Sequence, residues 1–217
     1  MDIFDLIGPI MVGPSSSHTA GAVRIGLVSR KLLGEPPAEA ELYLYGSFAD
    51  TGLGHGTDKA LVAGLLGMEP DDERIPDSFR YAQETGLRFT FGTADLRAAH
   101  PNSVLLKLRG VSGACLEVTA ASIGGGRIQI RRLGDLELCF SAEQPTLIVK
   151  NEDQPGSVAD VSRVLAQHGI NIGTFQVNRD SRGGSAVMVI ECDAPIREDV
   201  VNYIASLPGI LRAVCIN

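Results

Sequence analysis

The stretch "LIVKNEDQPGSVADVSRVLAQHGINIGTFQV" occupies residues 147–177. Its apolar start reads as a strand, and Pro155-Gly156 breaks the chain into a turn. From Gly156 to Gly169 the pattern becomes that of an amphipathic helix, with Val158, Val161 and Leu165 on one face. "INIGTFQVNRD" and "GSAVMVIEC" then read as strands joined by the hairpin signal "SRGG". "REDVVNYIASLPG" reads as a second helix and "ILRAVCIN" as a last strand. The order is βαββαβ, the ferredoxin-like split unit.

Upstream the order is different, and the seam falls near "SAEQPTLIVK". Before it, "ELYLYGS", "LRFTFGT", "SVLLKLRG", "ACLEVTAAS", "RIQIRRLG" and "DLELCFS" read as strands by alternation and by β-branched or aromatic content. Helices are expected from Thr19 to Leu33, from Asp58 to Leu66 and from Asp77 to Glu84. "GEPPAEAE" and "MEPDDERIPD" are loops by their prolines and acids. The class is α+β, with a first domain over 1–143, helices early and antiparallel strands late, and a second over 145–217.

The chain has 217 residues, 44% hydrophobic and 21% charged, which is a globular composition. Its net charge of -7 and its lack of tryptophan argue against nucleic acid as a partner. No apolar run is long enough to span a membrane. The start "MDIFDLIGP" lacks the basic-then-apolar layout of a secretory leader, so a cytoplasmic location is expected. The four cysteines, Cys115, Cys139, Cys192 and Cys215, are dispersed, without a CxxC pair. They are expected to be small buried hydrophobes, with no metal site in this chain.

The chemistry-bearing residues gather in three short motifs. "GPSSSHTAG" (13–21) sets Ser15, Ser16, Ser17, His18 and Thr19 at a helix start, where free backbone N–H groups and the helix dipole attract an anion. One serine suffices as a cap, so three in a row followed by His18 ask for more. "TGLGHGTDKA" (51–60) holds His55 in what reads as a glycine loop between a strand and a helix. Its GxGxG spacing is not the dinucleotide GxGxxG. "HPNS" (100–103) holds His100 and Asn102. Imidazoles titrate near neutrality and suit proton transfer. The fourth histidine, His168, falls at a helix C-terminus and reads as structural.

The stretch from Leu147 onward resembles an ACT domain, a small-molecule regulatory module. The resemblance implies side-by-side pairing of two such domains around a small amino-acid ligand. Asn151, Asp153, Gly156 and Asn171 match the family's ligand positions, with Asp153 suited to an ammonium group. Asn171 is expected close to the Pro-Gly turn or to that of a neighbouring copy. Serine-sensing relatives in phosphoglycerate dehydrogenase carry His and Asn before the Pro-Gly, where this chain has Asn151 and Asp153, a departure that points away from serine as effector.

The three motifs, in order ahead of that domain, resemble the β subunit of bacterial iron–sulfur L-serine dehydratase. The first domain would then share its fold with an allosteric substrate-binding domain found in some phosphoglycerate dehydrogenases. The family eliminates water from L-serine and releases pyruvate and ammonia. The resemblance implies a [4Fe–4S] cluster whose cysteine ligands lie on a partner α subunit. It also implies catalytic roles for His18, His55, His100 and Asn102, and substrate binding by Ser15, Ser16, Ser17 and Thr19. Which histidine is the base stays open. A different class remains beside this one: a non-catalytic protein that senses an amino acid with both domains, for which potential bases would be needless.

Overall fold

The computed structural model describes residues 10–96 and 99–217, so the leader reading of residues 1–9 lies outside it. Two compact units divide at Gly134/Asp135, ahead of the seam expected from sequence.

The first unit begins with a π-helical turn, Ser16–Ala20, that runs into α1 (Gly21–Leu33). There follow β1 (Pro37–Tyr45), α2 (Ser47–His55), α3 (Thr57–Leu65), α4 (Ser78–Thr85) and β2 (Arg88–Thr93). The strands β3 (Ser103–Gly110), β4 (Cys115–Gly124) and β5 (Arg127–Leu133) complete it. β6 (Leu136–Phe140) lies past the division but extends the same six-stranded sheet, ordered β2-β1-β3-β4-β5-β6. β1 runs parallel to β2 and antiparallel to β3, and β3–β4 and β4–β5 are antiparallel. Ala40, Leu42 and Leu44 alternate inward along β1, as a half-buried strand requires.

Helices α1 and α3 cross in backbone contact. A Cβ placed on Gly64 would stand 2.0 Å from the Val23 carbonyl, and one on Gly26 would stand 2.3 Å from the Leu61 carbonyl. Only glycine admits such an approach. Ile25, Leu33, Leu61 and Leu65 close over the crossing with no exposed surface beyond 1%. At about 1.5–3 kcal/mol per fully buried aliphatic side chain, this layer fixes the two helix starts, where His18 and Thr57 lie.

The second unit is β7 (Thr146–Glu152), α5 (Ser157–Gln167), β8 (Ile172–Arg179), β9 (Ser185–Cys192), α6 (Glu198–Ala205) and β10 (Ile210–Ile216). Its sheet is ordered β10-β7-β9-β8, and β10–β7, β7–β9 and β8–β9 are antiparallel. That is the βαββαβ split unit. Its core joins Leu147, Val149, Met188 and Ile190 of the central strands to Val161, Val164, Leu165, Val200 and Ile204 of the helices.

Several local expectations need correction. Gly52 and Gly54 are not in a loop: they lie inside α2, and the chain turns only at Gly56. Val158 is 44% exposed, one position off the stripe of Ser157, Val161, Val164 and Leu165 that α5 buries. Among the cysteines only Cys192 is buried, Cys139 and Cys215 are half-buried, and Cys115 is exposed.

Candidate active site

Ser15 has extended backbone (φ -141°, ψ 124°), and its hydroxyl accepts the His18 N–H at 3.1 Å. It is the N-cap. The Gly21 N–H then reaches back five residues to the Ser16 carbonyl, which makes the turn π-helical. Such turns are rare and gather at functional sites. Here the extra residue sets the His18 ring over α2. Ser16 and Ser17 are half-buried, and their hydroxyls make no hydrogen bond among the described residues. As first-turn residues their N–H groups have no partner within the helix.

The second wall is α2. Gly46, at φ +54°, turns the chain out of β1, and a Cβ there would meet the Pro101 carbonyl at 2.7 Å. Ser47, Thr51 and His55 follow at i, i+4 and i+8, so they share one face of the helix. His18 Nε2 lies 3.2 Å from Ser47 Oγ and 3.1 Å from Thr51 Oγ1, and its Nδ1 lies 3.4 Å from Ser15 Oγ. His55 donates from Nδ1 to the Thr51 carbonyl at 3.1 Å. The two imidazole centroids are 4.9 Å apart, and the buried Phe48 ring stands edge-on to His18 at 5.4 Å. His18 is held below the usual imidazole range by desolvation first and by the charge of His55 second, with the Ser47 backbone opposing in part. Neutral imidazole is therefore its resting form at pH 7, and the pair resists carrying two protons.

The "HPNS" loop packs against the start of α2, where Pro101 accepts the Phe48 N–H at 3.4 Å. Its own histidine does not join the pair. His100 is exposed, and its Nδ1 accepts the Asn102 N–H at 3.2 Å, while its carbonyl takes the Ser103 hydroxyl at 2.6 Å. It closes a turn. Asn102 is half-buried, with Oδ1 unpartnered and its carbonyl accepting from Ser122 N–H at 2.9 Å. Thr19 Oγ1, Thr57 Oγ1 and Ser122 Oγ are likewise buried without partners among the described residues. Thr19 is 3% exposed, and its side chain lies against Gly13, where a Cβ would stand 2.6 Å from Thr19 Oγ1.

Three motifs distant in sequence thus converge at one place. Ser47 and Thr51 belong to that place and are not apparent from the motifs alone. The signal that finds them is the four-residue spacing of Ser47, Thr51 and His55, legible only once Gly52 and Gly54 are allowed inside a helix. No group of three or more His, Cys, Asp or Glu among the described residues is arranged to hold a metal. The cysteines stand on β4, β6, β9 and β10, which does not fit a [4Fe–4S] cluster ligated by this chain.

In the second unit the four expected ligand positions do not converge. Asn151 is 2% exposed; its Nδ2 donates to the Glu152 carbonyl at 2.6 Å and its Oδ1 is unpartnered. Gly156 turns at φ +101° into α5. The Asp153 carboxylate is already engaged by Arg179 Nη1 at 3.2 Å and Gly183 N–H at 3.0 Å, and these hold it below the usual carboxylate range, the Gly183 bond foremost. Both bonds go to Oδ2 and fasten the β8–β9 hairpin, while Oδ1 accepts none among the described residues. Asn171 donates to Asp193 at 2.6 Å. Asn151 is in register with Ala186 and Ile172 with Cys192, so Asn171 adjoins the far end of β9, about 20 Å away.

A two-unit α+β chain with a polar helix mouth and an imidazole pair, followed by a split βαββαβ module, defines the class. Residues 145–209 match the ACT domain model, and residues 2–86 match the model of the serine dehydratase beta chain. The chain belongs to the L-serine dehydratase beta-chain family. It is 42% identical over 210 residues to the probable L-serine dehydratase, beta chain, of Bacillus subtilis (strain 168), covering 97% of this chain and 95% of that one. It is 39% identical over 202 residues to the L-serine dehydratase, beta chain, of Peptoniphilus asaccharolyticus, covering 93% and 91%. It is also 24% identical over 197 residues to the D-3-phosphoglycerate dehydrogenase of Bacillus subtilis (strain 168), covering 90% of this chain and 37% of that one. Among the described residues no helix is long and apolar enough to cross a membrane.

Proposed function

We propose that this chain is the β subunit of a two-chain L-serine dehydratase that converts L-serine to pyruvate and ammonia, with the [4Fe–4S] cluster on a partner α subunit. The observation that carries the reading is the His18–His55 pair, 4.9 Å between centroids, beside the mouth of the Ser15–Ser17 turn. The dispersed cysteines support the placement of the cluster elsewhere, and the beta-chain relatives support an α partner.

The geometry supports the following division of labour. The N–H groups and free hydroxyls of Ser16 and Ser17 receive the substrate carboxylate at the positive end of the helix. His55 donates from Nδ1 to the Thr51 carbonyl, so its Nε2 carries the lone pair, on an exposed ring. His55 is thus the base that takes the α-proton. The Cα–H bond breaks, its electrons form the Cα=Cβ bond, and the β-hydroxyl leaves with a proton as water. The aminoacrylate tautomerises to the imine, and a water molecule hydrolyses it to pyruvate and ammonia. Departure of the hydroxyl needs a Lewis acid, and the chemistry assigned to this chain stops short of it.

The ACT domain is proposed to bind a small amino acid and to pair with a second copy. Asn151 and Asn171 stand too far apart to hold one ligand within a copy, so this reading requires a copy whose Asn171 approaches its neighbour's Pro155-Gly156 turn. Isothermal titration of the intact subunit with a panel of amino acids tests it, and no heat with any of them leaves the domain as an association element. The enzymatic reading is tested by co-expression with a cysteine-bearing α chain. Pyruvate formation dependent on both chains supports it; an amino-acid-binding chain that never yields activity with that partner points to the sensor.

A further inference from the structure

Resting on the reading of His18 and His55 as the proton-handling pair, we infer that Thr51 is a positioning residue that sets the two imidazoles in opposite tautomers. The hydroxyl has one proton and two lone pairs. Thr51 Oγ1 lies 2.8 Å from the Ser47 carbonyl, which can only accept. The Thr51 proton is therefore committed there. Its oxygen, 3.1 Å from His18 Nε2, must accept, and so His18 carries its proton on Nε2. Otherwise two lone pairs would face each other at hydrogen-bond distance, or the 2.8 Å bond would be given up.

The remaining lone pair of His18 is then on Nδ1, facing the Ser15 hydroxyl at 3.4 Å. Ser15 fits this arrangement, because its oxygen accepts the His18 N–H and its own proton is free to point at the ring. Thr51 also supplies its carbonyl to His55 Nδ1–H at 3.1 Å. That fixes the other ring the other way round, with its lone pair on Nε2. One residue thus sends the free lone pair of His18 back toward Ser15 and that of His55 outward. Ser47 Oγ, 3.2 Å from His18 Nε2 and 3.4 Å from Thr51 Oγ1, has no committed proton and adapts to either neighbour.

The experiment is long-range 1H–15N correlation NMR of the intact chain labelled with 15N-histidine, at a pH above the imidazole titrations. The wild type should show His18 as the Nε2–H form and His55 as the Nδ1–H form. Thr51→Val keeps the shape and removes the hydroxyl; it should shift His18 to a mixture or to Nδ1–H while His55 is unchanged. Thr51→Ser should restore the wild-type spectrum. Wild-type His18 as Nδ1–H, or a Thr51→Val spectrum identical to wild type, overturns the inference. Should Thr51→Val fail to fold, the wild-type tautomers alone decide. The spectra require no turnover, so an inactive complex with the stated tautomers would sink the proposed function and leave the role of Thr51 standing.

Discussion

In the first unit His18 and Thr51 hydrogen-bond across 33 positions of sequence, and His55 lies against the same ring. In the second, Asn151 and Asn171 are only twenty positions apart in number and stand at opposite ends of β9. The contrast comes from how each unit brings its polar residues together. Two helices crossing at Gly26 and Gly64 bring a helix mouth over a neighbouring helix face within one chain. A helix between two strands carries the chain from one end of its sheet to the other, so polar residues before and after it separate. The polar residues of the first unit meet within one copy of the chain, whereas Asn151 and Asn171 of the second do not.

The largest effect that sharpens the comparison is on turnover. His18→Ala in the complex with an α chain should lower kcat by roughly two orders of magnitude or more, the usual span for a lost proton-handling group. Asp153→Ala should leave the basal rate near wild type, since that carboxylate fastens a hairpin of the second unit and touches none of the first unit's imidazoles. Steady-state pyruvate assays decide, and equal losses in both variants would erase the distinction between the units.

Next in size is stability. Gly64→Val forces a side chain into the Val23 carbonyl and should cost about 1–3 kcal/mol or more, a fall in Tm of at least roughly 3 °C. Scanning calorimetry of the intact chain reads it, and an unchanged Tm would mean that the helices do not touch there. Asp153→Asn, by contrast, should leave Tm nearly unchanged, because it removes one exposed ion pair.

A smaller effect concerns pH. His18 titrates in the folded chain below the ordinary imidazole value of about 6.5. Between its folded value and about 6.5 the unfolded chain binds more protons, so this group makes stability rise with pH across that window and level off above it. NMR titration should place the His18 midpoint below 6.5, and His55→Gln should raise it by removing the opposing charge. A midpoint at or above the ordinary value, unmoved by that substitution, would uncouple the pair.

The βαββαβ order of the second unit was legible because each of its elements is bounded by a turn signal: Pro155-Gly156, Gly169, "SRGG" and Pro208-Gly209. In the first unit the helix α2 was hidden, because Gly52 and Gly54 have low helix propensity and packing of the fully buried Phe48 overrides it. With the helix went the stripe of Ser47, Thr51 and His55. His18 and His55 stood out as residue types, while their mutual distance depends on a π turn that no local pattern announces. Asp153 reads as a ligand group from its place before Pro155-Gly156. Its actual partners, Arg179 and Gly183, come from a hairpin some 26 to 30 positions later, beyond the reach of local spacing.

The measurement that bears most directly on the His18–His55 site is pyruvate formation by His55→Ala reconstituted with its α chain, against wild type and His100→Ala prepared alike. The expected result is a loss of about 10²-fold or more in kcat for His55→Ala, with substrate affinity little changed and His100→Ala far less impaired. A His55→Ala complex that turns over within a few-fold of wild type, while His100→Ala is crippled, would contradict the assignment of the base.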